Sequence, residues 1–341
     1  MIRQGMLGRF GFIAAVASVG ALLTATGAQA STVTVGSVLP PGSTPTEFKA
    51  VETFFNTALP EKGANLTSPV SGAIVRWRMQ DPAGGPFYLR VLRPNGSGGY
   101  MAAGTSNPVT PSGGGLQTFT ANLSVQAGDL IGVDPTNVSD KIGVAEVAGA
   151  SYGFIFPPPF DGATVAPSGS EAGKEIELSA EVQPTPVISS VTPDFGPVAG
   201  GTSVTITGTD LASASAVKFG SVPATSFKAE SETKITAVAP PSATVGAVDV
   251  TATTIAGTSA TVKDDRFFYE GCVVPKLKGK KLKSAKRMLG RADCKVGKVR
   301  RRKAKPSKAG KVLKQGTKPG KVLASGSKVN LTIGKKRAAG K

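Results

Sequence analysis

The densest group of chemically active side chains lies near the C-terminus, and it is entirely basic. Arg300, Arg301, Arg302, Lys303 and Lys305 place five cations within six residues. Arginine presents a planar fork of N–H donors that matches phosphate and carboxylate groups, so this run is suited to binding a polyanion. We expect the run to form a loop between strands that binds a polyanion. The alternative is a solvated loop without a ligand.

The whole C-terminal part of the chain shares this charge. From Cys272 onward there are 25 Lys or Arg residues and one acid, Asp293, whereas residues 1–271 contain 15 basic and 21 acidic residues. A net charge of about 2–8 is enough to keep a small domain in solution, and the net +24 of this part exceeds it. We therefore expect a polyanionic partner, with solubility alone as the alternative. Residues 272–341 contain no Phe, Tyr or Trp, so the contact would rest on charge and hydrogen bonds instead of stacking.

Two cysteines, Cys272 and Cys294, are the only ones in the chain. In an oxidising compartment a pair this close is expected to form a disulfide, and two free thiols are the alternative. A structural zinc site needs four nitrogen or sulfur ligands, and the chain has no histidine. We therefore expect no metal and no cofactor.

The absence of histidine also limits catalysis. It excludes Ser-His-Asp and Cys-His nucleophile systems and leaves carboxylate pairs and Ser-Lys dyads. Glu175 and Glu177 are a carboxylate pair of the kind that glycosidases use. They fall at strand spacing, where a half-exposed strand turns its polar side chains outward, and this explains them without catalysis. We expect no catalytic residues and no enzyme, with an extracellular polysaccharide-active enzyme as the alternative.

The N-terminus has the pattern of a secretory signal peptide. Arg3 and Arg9 precede an apolar stretch over residues 10–23, and Ala28-Gln29-Ala30 is a cleavage site with small side chains. The stretch is shorter than the roughly 20 residues that span a bilayer, although an uncleaved anchor is the alternative. We expect a signal peptide over residues 1–30 and a secreted chain from Ser31 with no membrane span. Residues 335–341 are expected to form a basic tail.

Residues 31–183 consist of short apolar stretches separated by Gly, Pro and Asn. Residues 73–79 alternate apolar and basic side chains, which is typical of a half-buried strand. Turn signals about every ten residues predict an antiparallel β-sandwich, and residues 127–133 resemble a strand of jelly-roll modules. A glycan or a protein is a candidate ligand of this domain. Candidate sugar-stacking residues, each with a structural role as the alternative, are Trp77, Tyr88, Tyr100 and Tyr152. Three aspartates are candidates for binding calcium, although their spacing matches no known calcium loop. They are Asp129, Asp134 and Asp140.

Residues 184–270 resemble an IPT/TIG domain, an immunoglobulin-like sandwich. The resemblance is carried by Thr192-Pro193, Gly200-Gly201-Thr202 and Gly208, and by the later segments 216–220, 234–241 and 246–253. Val204, Ile206, Val248 and Val250 lie at period two and are expected to face one core. The resemblance implies a spacer or a protein-contact module.

Residues 271–334 resemble a PASTA domain, an extracellular module of penicillin-binding proteins and serine/threonine kinases. Its motifs here are Val274-Pro275, Leu277-Lys278-Gly279, and the segments 294–299, 310–315, 317–323 and 326–334. Apolar residues at helical spacing between them predict one amphipathic helix: Leu282, Ala285, Met288, Leu289 and Ala292. The resemblance implies binding of peptidoglycan fragments, and it carries no particular binding residue over to this chain.

These observations predict a mainly β protein made of a jelly-roll-like sandwich, an immunoglobulin-like sandwich and a small α+β domain. We expect a secreted protein associated with the cell wall, whose basic end holds peptidoglycan or an anionic cell-wall polymer. A charge-driven nucleic-acid binder is a further alternative.

Overall fold

The computed structural model describes residues 31–39 and 42–336. The predicted signal peptide and most of the predicted basic tail lie outside these residues. The described chain is built from strands, with one α-helix and two short 3₁₀ turns. The prediction of a mainly β protein is confirmed.

The first twelve strands form two facing antiparallel sheets, which we call the first sandwich. One sheet has the order β1-β12-β4-β7 and the other β10-β6-β5-β8-β3-β9-β11, with β2 paired to β9. The predicted antiparallel sandwich is therefore confirmed. Its strands are β1 Val33–Gly36, β2 Thr44–Glu47, β3 Thr53–Ala58, β4 Gly72–Gln80, β5 Phe87–Pro94, β6 Tyr100–Thr105, β7 Leu116–Val125, β8 Leu130–Pro135, β9 Lys141–Ile155, β10 Thr164–Val165, β11 Gly169–Ile176 and β12 Leu178–Pro184.

Strand β4 shows why the alternating pattern folds this way. Trp77 and Met79 are fully buried in the core between the sheets. Arg76 and Arg78 point to the opposite face, where both pair with the carboxylate of Glu181 on the neighbouring strand β12. The predicted half-buried strand is confirmed, and burial of its apolar face holds the two sheets together.

The next ten strands form the second sandwich. Its sheets have the orders β13-β15-β19-β18 and β14-β22-β20-β16-β17, with β21 paired to β20. The strands are β13 Val187–Thr192, β14 Phe195–Pro197, β15 Ser203–Thr209, β16 Ala216–Phe219, β17 Val222–Pro223, β18 Ser226–Ser231, β19 Lys234–Val238, β20 Gly246–Thr254, β21 Gly257–Thr258 and β22 Arg266–Glu270, with a 3₁₀ turn at Lys263–Asp265 before β22.

Val204, Ile206 and Val250 are buried in the core of the second sandwich, and Val248 packs against them half-buried, as predicted. Gly200 has a φ of +75°, and a Cβ there would lie 2.6 Å from the carbonyl carbon of Pro240. Only glycine tolerates both conditions, which accounts for the Gly-Gly-Thr segment at this turn.

The remaining elements form the C-terminal domain. Strand β23 pairs with β26, and β24 and β25 flank β27 in a second small sheet. The helix buries Ala285 and Leu289 against these strands, as its apolar spacing predicts. The elements are β23 Cys272–Val273, α1 Leu282–Arg291, β24 Lys295–Ala304, a 3₁₀ turn at Pro306–Lys308, β25 Val312–Gln315, β26 Val322–Leu323 and β27 Lys328–Lys336.

Candidate functional site

The basic run lies on strand β24, so the prediction of a loop is wrong. Arg300, Arg301, Arg302 and Lys303 are all exposed on this strand, and Lys305 follows its end. The run is extended because β27 continues beside it in parallel, with Arg300 opposite Thr332 and Lys303 opposite Lys335. Strand β24 is at the outer edge of its sheet, where charged side chains discourage pairing with a further strand.

Side chains on a strand alternate between its two faces. Arg300 and Arg302 therefore share one face of β24, and Arg301 and Lys303 share the other. Because each residue advances the strand by about 3.3 Å, neighbouring cations on one face are about 7 Å apart. A linear polyanion lying along this edge would meet a cation at regular intervals on either face.

The cations of the C-terminal domain have no acidic partners among the side chains that the structure describes. All the ion pairs found there join residues between Glu47 and Arg266. The single acid of the domain, Asp293, forms none of them. The field of the domain is thus not cancelled internally and is available to an external anion.

A second concentration of charge surrounds the start of helix α1. Lys281 occupies the N-cap position without a capping hydrogen bond from its side chain, and the first turn contains no acid. A small concavity of about 270 Å³ is lined there by Lys281, Lys283, Ser284 and Arg287. The N-terminal end of a helix carries partial positive charge, so cations placed there are unfavourable until an anion approaches.

The predicted disulfide between Cys272 and Cys294 is confirmed. It joins β23 to the residue before β24, and both cysteines are buried in the small core. A bridge that closes a loop of about 20 residues contributes about 3 kcal/mol in the chain-entropy model. It therefore fixes the start of the basic strand relative to the domain core.

The aromatic residues proposed as sugar platforms do not form one surface. Trp77 is in the core, where its ring packs 4.9 Å from that of Phe119. Tyr100 packs edge-on against Phe55 at 4.9 Å. Tyr88 lines a separate shallow pocket, and Tyr152 lines the large groove described below.

The aspartates considered for calcium are occupied by protein donors at separate places. Asp129 pairs with Arg93 at 2.8 Å, and Asp134 pairs with Arg90 at 2.5 Å. Asp140 accepts backbone N–H groups, including that of Gly85 at 2.7 Å. In the described chain, no three His, Cys, Asp or Glu side chains are arranged to hold a metal ion.

Glu175 and Glu177 are fully buried, so the expectation that they point outward is wrong. The pKa of each is raised to about 7, mainly by burial, and for Glu175 the neighbouring Glu61 carboxyl contributes to this rise. Ser37 donates a hydrogen bond of 2.7 Å to the Glu175 carboxyl, whereas neither carboxyl oxygen of Glu177 has a hydrogen-bond partner in the described structure. Carboxyls enclosed in this way cannot reach a polysaccharide chain.

A groove on the first sandwich was missed by sequence reasoning. It encloses about 830 Å³ at the point where β2 and β3 pair with different halves of β9. Aromatic rings form its floor and glutamates its walls. The sequence signal was the placement of Tyr152 and Phe154 two residues apart on one strand, with glutamates on the paired strands.

Comparison with known families gives two matches. Residues 186–269 match the IPT/TIG domain model, and residues 273–335 match the PASTA domain model. The chain contains an IPT/TIG domain and a PASTA domain. The second sandwich is the IPT/TIG domain, and the C-terminal domain with its disulfide and basic strand is the PASTA domain.

No curated protein matches the sequence. One similar solved structure is the full extracellular region of plexin A4, at 15% identity and a TM-score of 0.23. The match covers 68% of this chain and 34% of the plexin chain, so this chain aligns with about a third of it.

The IPT/TIG and PASTA domains are extracellular types and fit a secreted or wall-associated module. Within residues 31–39 and 42–336, no helix is long and apolar enough to cross a membrane.

Proposed function

We propose that this is a secreted, non-enzymatic protein that associates with the cell wall through its PASTA domain. The ligand of that domain would be peptidoglycan or an anionic wall polymer. The observation that carries the proposal is the exposed, unpaired row Arg300, Arg301, Arg302 and Lys303 on an edge strand. In this account the IPT/TIG domain is a spacer or a protein-contact module, and the first sandwich recognises a second ligand.

Physical chemistry favours a polyanion over a small neutral ligand at this site. The domain contains no aromatic side chain to stack on a sugar ring, and guanidinium groups pair best with phosphate or carboxylate. Exposed charges are screened over about 8 Å in physiological salt, so binding should weaken strongly as salt is added.

The test is sedimentation of the full chain with purified cell wall at about 50 mM and about 500 mM NaCl. We expect binding at low salt and its loss at high salt. Failure to bind at any salt concentration would end the proposal.

Competition separates the proposal from nucleic-acid binding by charge. Added double-stranded DNA, at a phosphate concentration equal to the anionic groups of the wall, should displace little protein if wall polymer is the preferred ligand. Complete displacement would favour the nucleic-acid alternative.

A further inference from the structure

The groove of the first sandwich lies where β2 and β3 pair with different parts of β9. Strand β2 pairs with residues 141–144 of β9, and β3 pairs with residues 151–155 of the same strand. Strand β11 runs along the other edge of β9. The segment between β2 and β3 therefore spans a gap in the sheet, and Phe48, Lys49 and Glu52 of this segment line the groove.

The floor of the groove is aromatic. Phe48 and Phe54 stack with ring centroids 3.8 Å apart, and Tyr152 and Phe154 each lie 6.4 Å from Phe54. Phe48, Phe54 and Tyr152 are buried, whereas Phe154 is half-buried and leaves part of its ring open to the groove. The floor of the groove therefore offers a ligand an apolar surface.

The walls are rich in carboxylates. Glu47, Glu52, Glu146 and Glu171 line the groove against two lysines, Lys49 and Lys174. Lys174 is shared between two of these carboxylates, at 3.3 Å from Glu171 and 3.8 Å from Glu146. Within the described chain Glu52 has no ion-pair partner within 4 Å. Glu47 pairs with Lys141, which lies outside the lining, at 3.0 Å. The four glutamates therefore outnumber the three lysines beside them by one negative charge.

The hydroxyl of Tyr152 lies within this negative region. Burial raises the pKa of Tyr152, and the neighbouring Glu171, Glu52 and Glu146 raise it further. Burial also raises the pKa of Glu52. Three carboxylates thus lie close to the Tyr152 hydroxyl, and the Lys174 ammonium neutralises part of the charge of two of them.

The hydrogen-bonding character of the walls is equally one-sided. An ionised carboxylate only accepts hydrogen bonds, so the free positions in the groove are mostly acceptors. The matching ligand group carries positive charge and donates without accepting, which describes an ammonium or a guanidinium group. Lys174 already places a primary ammonium between two of these carboxylates, so a group of this size fits there. We propose that this groove binds a ligand through a primary ammonium group whose stem rests on Phe154.

Two sources can supply such a group: an alkyl amine of the lysine type and an amino sugar. In the test, amines and neutral counterparts of the same size are titrated into the full chain, and calorimetry measures their binding. The alkyl pair is 1,5-diaminopentane and 1,5-pentanediol, and the sugar pair is a glucosamine tetramer and its N-acetylated form. At least one amine should bind about tenfold more tightly than its counterpart, the ratio for one charge-assisted hydrogen bond. The pair that shows the difference identifies the source.

Variants locate the site. Glu52→Gln and Glu171→Gln should each weaken amine binding about fivefold or more, and Glu230→Gln, an exposed change in the IPT/TIG domain, should leave it unchanged. If Glu52→Gln fails to fold, Glu146→Gln serves instead, because this side chain is 80% exposed. Equal binding of amine and neutral probes, no amine binding up to about 10 mM, or unchanged binding by the glutamate variants would each overturn the proposal.

Discussion

Arg90 and Asp134 neutralise each other inside the first sandwich, whereas Arg300 and Arg302 are exposed on a strand of the PASTA domain without an acidic partner. The first pair is almost fully enclosed, at 7% and 6% side-chain exposure, and Thr53 also donates to Asp134. Arginine thus has two different environments in this protein, one buried and paired and the other exposed and unpaired. The buried charges of the first sandwich contribute to folding, and in our proposal the exposed charges of the PASTA domain bind an anionic ligand.

The largest expected effect comes from breaking the buried pair. Arg90→Ala leaves Asp134 enclosed without a counter-ion, and burial already raises the pKa of this carboxyl despite the arginine. We expect the free energy of unfolding to fall by about 3–5 kcal/mol. Arg302→Ala should change it by less than about 0.5 kcal/mol. Urea denaturation of both variants measures the contrast, and similar losses would show that the two regions do not differ.

Removal of the disulfide should have the next largest effect. Replacing Cys272 and Cys294 by serine frees a loop of about 20 residues, and the PASTA domain should lose about 3 kcal/mol of stability. Denaturation followed by hydrogen exchange at β24 and β27 measures this loss domain by domain. Exchange in the first sandwich is the internal control, since it should not change.

The buried acids of the first sandwich predict a pH dependence of stability. Glu175 and Glu177 have folded pKa values of about 7, above the unfolded value of 4.5, so the native state holds their protons more tightly. Their contribution is complete below about pH 4.5 and is lost as the pH rises to about 7. We expect stability to fall by about 2 kcal/mol for each of the two groups between pH 5 and pH 8.

Thermal unfolding across this pH range measures the effect. The double variant Glu175→Gln, Glu177→Gln should flatten the dependence, because glutamine does not titrate. A wild-type curve that rises from pH 5 to pH 8 would contradict the assignment.

The smallest effect on stability is expected on the basic strand. Replacing Arg300, Arg301, Arg302 and Lys303 together by alanine removes like charges from an exposed edge and should change the free energy of unfolding by less than about 1 kcal/mol. Urea denaturation checks this, and a larger loss would mean that the run is part of the fold and not an open site.

Much of the fold follows from the sequence because local patterns and core packing agree. The alternation in β4 and the helical spacing before Cys294 each correspond to burial in the structure. The Gly-Gly-Thr segment of the IPT/TIG domain corresponds to a turn in which Gly200 has a φ of +75°. The disulfide follows from the number and proximity of the cysteines.

The two wrong predictions, of a loop for the basic run and of outward-pointing glutamates, have a common cause. The environment of a strand depends on partners that are distant in the sequence. The basic run was expected in a loop, but pairing with β27 extends it. Glu175 and Glu177 alternate like outward residues, yet the chain crosses there from β11 in one sheet to β12 in the other. Such a crossing encloses both side chains, and the local pattern contains no sign of it.

Strand β24 is in our proposal an open anion-binding edge, and matched charge removal tests this role most directly. One variant replaces Arg300, Arg301, Arg302 and Lys303 by alanine. The other replaces four exposed lysines elsewhere in the PASTA domain, so that the net charge is the same: Lys278, Lys314, Lys318 and Lys321. In sedimentation with purified cell wall at about 50 mM NaCl, we predict that the first variant loses binding and the second retains most of it. Equal binding by the two variants would contradict the claim.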